Sequence, residues 1–144
     1  MQDLHTQLFA AIVGNATLSA DNAPAAIDLQ GYSAAEILLL IGIGGITFTG
    51  TNKVEFVLTH SDDDSTYTAV TTADMIGCTV ASGGIIKSLV AAHAAPAAYR
   101  FGYKGGKRYL KLLADFSGTH GTGTPIGMCV LLGEPNIGPV ANQA

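Results

Sequence analysis

The segment that decides the fold is KVEFVLTHSDDDSTYTAV, residues 53–70. Its first half alternates apolar and polar side chains, so Val54, Phe56 and Leu58 would face one way and Lys53 the other. A period of two is typical of a β-strand with one face in the core and one face in water. Three consecutive aspartates and a second short apolar run follow. The segment therefore predicts a β-hairpin with the aspartates at its tip, because Asp and Ser side chains bond their own backbone in turns.

The three aspartates, residues 62–64, are the most obvious candidates for a metal site. An EF-hand calcium loop needs alternating ligands, a glycine and a later bidentate glutamate. The segment HSDDDSTY contains neither a glycine nor a glutamate. Consecutive side chains of an extended chain also point in opposite directions, so three in a row do not converge easily on one ion. We therefore interpret the aspartates as a connection between strands and predict no metal.

Short apolar runs separated by Gly, Ser and Thr turns continue along the whole chain. Residues 36–43 are apolar on both faces, which predicts a strand that is buried centrally or covered by a partner. No segment predicts a long amphipathic helix. The result is an all-β chain of about nine short strands, typical of an antiparallel sandwich or barrel. The predicted strands are 25–29, 36–43, 53–60, 67–71, 78–80, 85–90, 97–103, 107–116 and 126–132.

The length of 144 residues suits one domain. We expect an N-terminal arm or short helix at residues 1–14, a β-sandwich domain at 15–133 and a C-terminal tail at 134–144. The tail contains two prolines and has no periodicity. Such a segment becomes ordered when something holds it, which points to neighbours.

The composition favours an assembly subunit over a free cytosolic protein. Charged residues make up 12% of the chain, against about 25% in ordinary domains. A charge-poor surface suits a protein that covers part of it with neighbours. The net charge of −4 argues against direct nucleic-acid binding. Five of the seven basic residues nevertheless cluster between residues 100 and 111, either as a solvated hairpin or as a patch for an acidic partner.

No recognised catalytic or cofactor motif is present. Cys78 and Cys129 lack the spacing of a zinc site, and both free thiols and a disulfide stay open. The four histidines are scattered without metal-ligand spacing. We therefore predict no enzyme activity, no catalytic or metal-binding residues and no cofactor. The N-terminus has no basic region of a secretory signal, and the longest apolar run is too short for a bilayer. These features predict a soluble protein made in the cytoplasm.

Four segments together resemble a known family. They are NATLSADNAPAAIDLQG (15–31), SDDDSTYTAV (61–70), YRFGYKGGKRYLKLLADFSG (99–118) and TPIGMCVLLGEPN (124–136). Their order is similar to that of phage head decoration or cement proteins, in particular the cement-protein family first met in Bordetella phage. The resemblance covers most of the chain and consists of turns and strands.

The resemblance implies a jelly-roll-like antiparallel β-sandwich on the exterior of a phage head. Such a protein bridges capsomers, with the major capsid protein and other copies of itself, as homotrimer or homodimer, for partners. It implies a virion location with no membrane and no nucleic-acid contact. Two alternatives stay open: a tail or other virion β-protein, and a carbohydrate- or ligand-binding sandwich, which the absence of Trp disfavours.

We expect partner contacts from three places in the chain: the arm, the basic hairpin and the tail. For the arm residues the alternative is that they cover an open end of the domain's own core. The expected contact residues are Leu4, Leu8, Phe9, Lys104, Lys107, Arg108, Pro135, Ile137 and Pro139.

Overall fold

The computed structural model describes residues 3–143 and confirms the all-β prediction. Two antiparallel sheets pack face to face, and within these residues the helical structure consists of two single 3-10 turns, His5–Gln7 and Thr72–Asp74. The strands are β1 (Leu8–Leu18), β2 (Ile27–Asp28), β3 (Tyr32–Ile41), β4 (Lys53–Ser61), β5 (Thr68–Ala69), β6 (Met75–Ile76), β7 (Ile85–Leu89), β8 (Ala97–Tyr103), β9 (Tyr109–Ser117) and β10 (Thr124–Pro135).

The strands pair in a nested order. Sheet A has the order β1-β10-β3-β8-β6, and sheet B has the order β2-β9-β4-β5, with β7 also paired to β4. Thus β1 pairs with β10, β2 with β9, β3 with β8 and β4 with β7, each antiparallel. The first half of the chain therefore pairs with the second half in reverse, alternating between the two sheets.

The core lies between the inner faces of the two sheets. Val54, Phe56 and Leu58 on β4 are fully buried, as their alternation predicts, and they share one cluster with Ile37 and Leu39 of β3. Each such side chain contributes about 1.5–3 kcal/mol when it is removed from water. The period-two pattern of residues 53–60 therefore locates the centre of the sandwich.

The aspartates form the predicted hairpin tip. The Asp63 carboxylate accepts hydrogen bonds from the Ser65 and Thr66 amides, at 3.0 and 2.9 Å, and from the Ser61 hydroxyl. The bonds from Thr66 and Ser65 lower the pKa of Asp63. Within residues 3–143 no group of three or more His, Cys, Asp or Glu side chains is placed to hold a metal.

The N-terminal segment differs from its prediction. Instead of an arm or short helix over residues 1–14, a 3-10 turn leads at Leu8 into the edge strand β1, which crosses the predicted domain boundary at residue 15. Alanine and glycine in FAAIVGNA weaken the β pattern, and pairing with β10 overrides that local preference. Met1 and Gln2 lie outside the described residues.

The strand predicted at residues 78–80 is also wrong. The strand in this region is β6, which ends at Ile76, two residues before the predicted start. Gly77 then turns the chain with a φ of +88°. Beyond the turn, the Val80 amide donates to the Thr72 hydroxyl at 3.0 Å and takes no strand partner there. Residues 25–29 and 67–71 do form strands, but each keeps only two residues of the predicted run.

Both long sheet edges are covered by side-chain carboxamides. On β9, the Asn22 amide donates to the Leu112 carbonyl at 3.2 Å, and the Ala114 amide donates to Asn22 Oδ1 at 2.7 Å. On β1, Ala10 forms the same reciprocal pair with the side chain of Gln143, at 2.9 and 3.0 Å. A carboxamide offers a donor and an acceptor as a peptide group does. These two side chains therefore take the place of a further strand at each edge.

Candidate docking face

The two outer faces of the sandwich differ in chemistry. The outer face of sheet B, here the charged face, is polar: Lys53 and Glu55 form an ion pair at 2.9 Å, and Lys111 and Asp115 project from β9. The Lys111 ammonium also lies 4.1 Å from the centre of the Tyr67 ring. This face is an ordinary hydrated protein surface.

The outer face of sheet A, here the apolar face, is different. Register places Ile12, Cys129 and Leu38 in one row across β1, β10 and β3, and Leu40 in the next. Ile12 is 70% exposed and Leu40 is 51% exposed, and Ile76 on β6 is 58% exposed. The double-faced apolar run at residues 36–43 is thus explained: β3 is central in its sheet, and its outer face is covered by nothing among residues 3–143.

Two opposite charges lie on the apolar face. Glu36 on β3 and Arg100 on β8 are 3.5 Å apart and form an ion pair. Because Leu38 pairs in register with Arg100, this ion pair lies beside the apolar row and adds no net charge. The remaining charged residue in the five strands of sheet A is Glu134, exposed near the end of β10 and away from the row of Ile12, Cys129 and Leu38. The face therefore suits an uncharged partner surface.

A groove of about 530 Å³ crosses the apolar face near the ends of β3 and β10. Gly14 and Gly127 lie in it, and Ile12, Leu40 and Pro125 are among the apolar residues that line it. A Cβ atom at Gly127 would lie 3.4 Å from the Leu40 Cβ, so any larger side chain there would fill part of the hollow. The groove can receive an apolar side chain of a partner.

The cysteines are free thiols. Cys129 lies in the groove on β10 and Cys78 in the turn after β6, both half-buried. Burial raises the pKa of each thiol, which disfavours the reactive thiolate. Of the two possibilities left by the sequence, the free thiols are observed.

The predicted arm contacts divide between the core and the surface. Phe9 packs against the core, and the centres of the Phe9 and Tyr32 rings are 6.2 Å apart. Phe9 therefore covers the protein's own core, which was the alternative to a partner contact. Leu8 is half-buried at the start of β1, and Leu4 is 65% exposed. Leu4 is the arm residue most open to a neighbour.

The predicted basic hairpin is largely neutralised within the chain. Arg108 donates two hydrogen bonds to Asp28, at 2.9 and 2.7 Å, and these bonds lower the pKa of Asp28. Lys107 pairs with Asp62 at 3.2 Å. Lys104 is exposed and has no ion pair among residues 3–143. The solvated-hairpin interpretation therefore fits better than a strong basic patch.

The tail begins inside β10, because Pro135 still pairs with Tyr32. Residues 136–143, here the C-terminal strap, then fold back along the N-terminal segment. Ile137 is 89% exposed and Pro139 is exposed. The structure thus leaves Leu4, Lys104, Ile137 and Pro139 open to partners.

The apolar face, the main candidate surface, was not predicted from the sequence. Ile12, Leu40 and Ile76 were not among the expected contacts, although the apolar pattern of residues 36–43 held the signal. Ile12 was not expected on a sheet face, because residues 1–14 were interpreted as an arm or short helix. Among the buried polar side chains of residues 3–143, His60 is hydrogen-bonded to the Tyr103 hydroxyl at 2.9 Å inside the sandwich, while the Nδ1 atom of His120 has no hydrogen-bond partner.

Between residues 3 and 143 the structure contains no helix long and apolar enough to cross a membrane. Comparison of the chain with protein-family models, with curated proteins and with solved structures gave no match.

Proposed function

We propose that this chain is a non-catalytic virion protein, a capsid decoration or cement protein that binds the outside of a phage head and stabilises the seams between capsomers. The observation that carries the proposal is the apolar face, exposed on a two-layer sandwich whose opposite face is charged. Such a molecule can attach by one side and remain hydrated on the other.

The strand pairing supports the jelly-roll fold implied by the resemblance. A jelly roll has two packed sheets and is an antiparallel hairpin rolled up so that early strands pair with late ones. The nested pairs β1–β10, β2–β9, β3–β8 and β4–β7, alternating between sheets A and B, have that form. We include the jelly roll in the proposal on this ground.

The size of the apolar face fits a weak contact that is repeated many times. The strands of sheet A contain 11, 12, 10, 7 and 2 residues. At about 3.3 Å per residue and 4.8 Å between strands, they cover roughly 650 Å². A standard interface buries about 800 Å² per partner. One copy would bind modestly, and many copies across a lattice would stabilise it, because they bind only the assembled form.

The carbohydrate-binding alternative is disfavoured by its tyrosines. Tyr103 is buried, Tyr67 lies under Lys111, and Tyr109 lies under Arg108. An aromatic platform for sugar rings is therefore not open at these positions. The tail-protein alternative predicts the same sandwich and differs only in where the protein sits on a particle.

The test compares a change on each face. Leu40→Asp places a charge on the apolar face, and Thr59→Asp places the same charge on β4 of the charged face. We expect Leu40→Asp to weaken co-sedimentation with phage heads that lack the protein by about tenfold or more, as loss of a central apolar contact does. Thr59→Asp should bind like the parent chain.

Thermal unfolding of both variants checks that each is folded. Equal binding by the two variants would remove the apolar face from the proposal. Imaging of the particle with the parent chain bound locates the protein, and density on the tail alone would replace the head assignment by the tail assignment.

A further inference from the structure

The C-terminal strap is held at two separate places. Near its start, the Asn136 amide donates to the Gly31 carbonyl at 2.8 Å, and the Ser33 hydroxyl donates to Asn136 Oδ1 at 2.9 Å. Near its end, the Val140 amide donates to the Thr6 carbonyl at 2.9 Å, and Gln143 pairs with both backbone groups of Ala10. The distal contacts are therefore polar and directed at backbone.

Apolar burial in this attachment comes mainly from Val140, which is half-buried. Ile137 and Pro139 point away from the body, and Leu4, on the segment that the strap crosses, is also exposed. The distal hydrogen bonds are made to main-chain groups at Thr6 and Ala10, and any second copy presents the same groups in the same arrangement. Nothing in these contacts favours the strap's own chain over another copy.

The junction between β10 and the strap has the features of a hinge. Glu134 adopts a φ of +51°, in the left-handed region that non-glycine residues rarely occupy. Such a conformation is strained unless its surroundings hold it, and Glu134 is exposed. Beyond it, residues 135–143 span up to about 30 Å when extended. A change of backbone angles at Glu134 that also releases the Pro135 and Asn136 contacts can therefore carry the strap to a neighbouring molecule.

We propose that in the assembled state the strap of one copy docks on the β1 edge of a second copy, and reciprocally. The exchanged strap makes the same hydrogen bonds to Thr6 and Ala10 as before. The exchange also brings Ile137 and Leu4 to the junction between copies, where each loses contact with water. The proposal rests on the proposed function for its setting, because a shell crowded with copies raises their effective concentration to the millimolar range.

The test uses disulfides that can form only between chains. In a Cys78→Ser, Cys129→Ser background, one variant carries Thr6→Cys with a large tag and the other carries Val140→Cys with a small tag. The Val140–Thr6 backbone bond places these positions close enough for a disulfide. After co-expression and oxidation at about 1 mM, we expect a covalent heterodimer.

The matched control replaces Val140→Cys by Ala92→Cys, an exposed position in the loop between β7 and β8. We expect at least about tenfold less heterodimer from that pair, because no docking brings Ala92 to Thr6. A chain with both Thr6→Cys and Val140→Cys reports whether the strap docks at all. An intrachain disulfide there, with no heterodimer from the mixed pair, would overturn the exchange, and so would the absence of both products.

Deleting residues 136–143 provides a second measurement. The deletion keeps Glu134 and Pro135 in β10, and we expect a folded protein that self-associates less than the parent chain in sedimentation velocity at about 1 mM; equal self-association of the two chains would overturn the exchange. The Leu40→Asp change should leave the mixed disulfide intact. A chain that cross-links between copies but does not bind heads would refute the proposed function alone, and a chain that binds heads without cross-linking would refute the exchange alone.

Discussion

Replacing Asn22 by alanine removes both hydrogen bonds that cover the β9 edge. The Asn22 side chain donates to Leu112 O at 3.2 Å and accepts from Ala114 N at 2.7 Å. The residue is half-buried, and Ala114 on the adjoining strand is fully buried. Water therefore replaces the lost partners only in part.

The size of the effect follows from these two bonds. Each hydrogen bond contributes about 0.5–1.5 kcal/mol net, so losing both should lower the free energy of unfolding by about 2 kcal/mol. For a domain of this size, that corresponds to a fall in Tm of about 6 °C. The loss should appear as a lower denaturant midpoint with an unchanged slope.

Two further variants separate the edge bonds from a general effect of removing an amide. Asn22→Asp keeps the acceptor for Ala114 N but loses the donor to Leu112 O, so we expect a smaller decrease that grows as the carboxylate ionises. Asn15→Ala removes an exposed asparagine whose side chain makes no hydrogen bond within residues 3–143, and its effect should stay within about 0.5 kcal/mol. Equal midpoints for Asn22→Ala and Asn15→Ala would refute the assignment of Asn22 as an edge cap.

Two other predictions concern a close backbone contact between two loops and the response of the fold to acid. Gly45→Ala should destabilise the fold by more than about 3 kcal/mol, because its Cβ would lie 1.9 Å from the Gly123 carbonyl oxygen; Gly50→Ala has open space and should change stability by less than about 0.5 kcal/mol. Similar urea midpoints for the two would contradict this. Burial lowers the pKa of His60 below its usual value of 6.5, so its stabilising contribution is complete above pH 6.5 and is lost as pH falls through the folded-state pKa. We expect unfolding free energies at pH 7.5 and 5.0 to differ less in His60→Gln than in the parent chain, and an unchanged difference would show that His60 does not titrate on unfolding.

The central strands were predictable because their patterns are strong and local. Residues 97–103 match β8, and the alternation at 53–60 matches β4 with one residue added. The hairpin tip followed from the turn chemistry of Asp and Ser. The structure of these segments depends mainly on residues close together in the chain, so their secondary structure could be predicted from the sequence.

The strand β1 and the apolar face were not predictable in the same way. β1 contains Ala and Gly and forms because β10 lies beside it, which is a contact about 115 residues away in the chain. The outward side of β3 could be recognised as apolar, but whether a helix, a loop or nothing covers it depends on the whole topology. The two carboxamide caps likewise depend on distant backbone, as Gln143 and Ala10 show.

The carboxamide caps also make the age of a sample relevant to its behaviour. Asparagine and glutamine side chains are thermolabile, and hydrolysis of either cap would leave a carboxylate, which accepts hydrogen bonds but donates none. Slow deamidation at Asn22 or Gln143 would then uncover a strand edge without any change in the core. Stored preparations would gain negative charge and begin to associate edge to edge while their cores remained native.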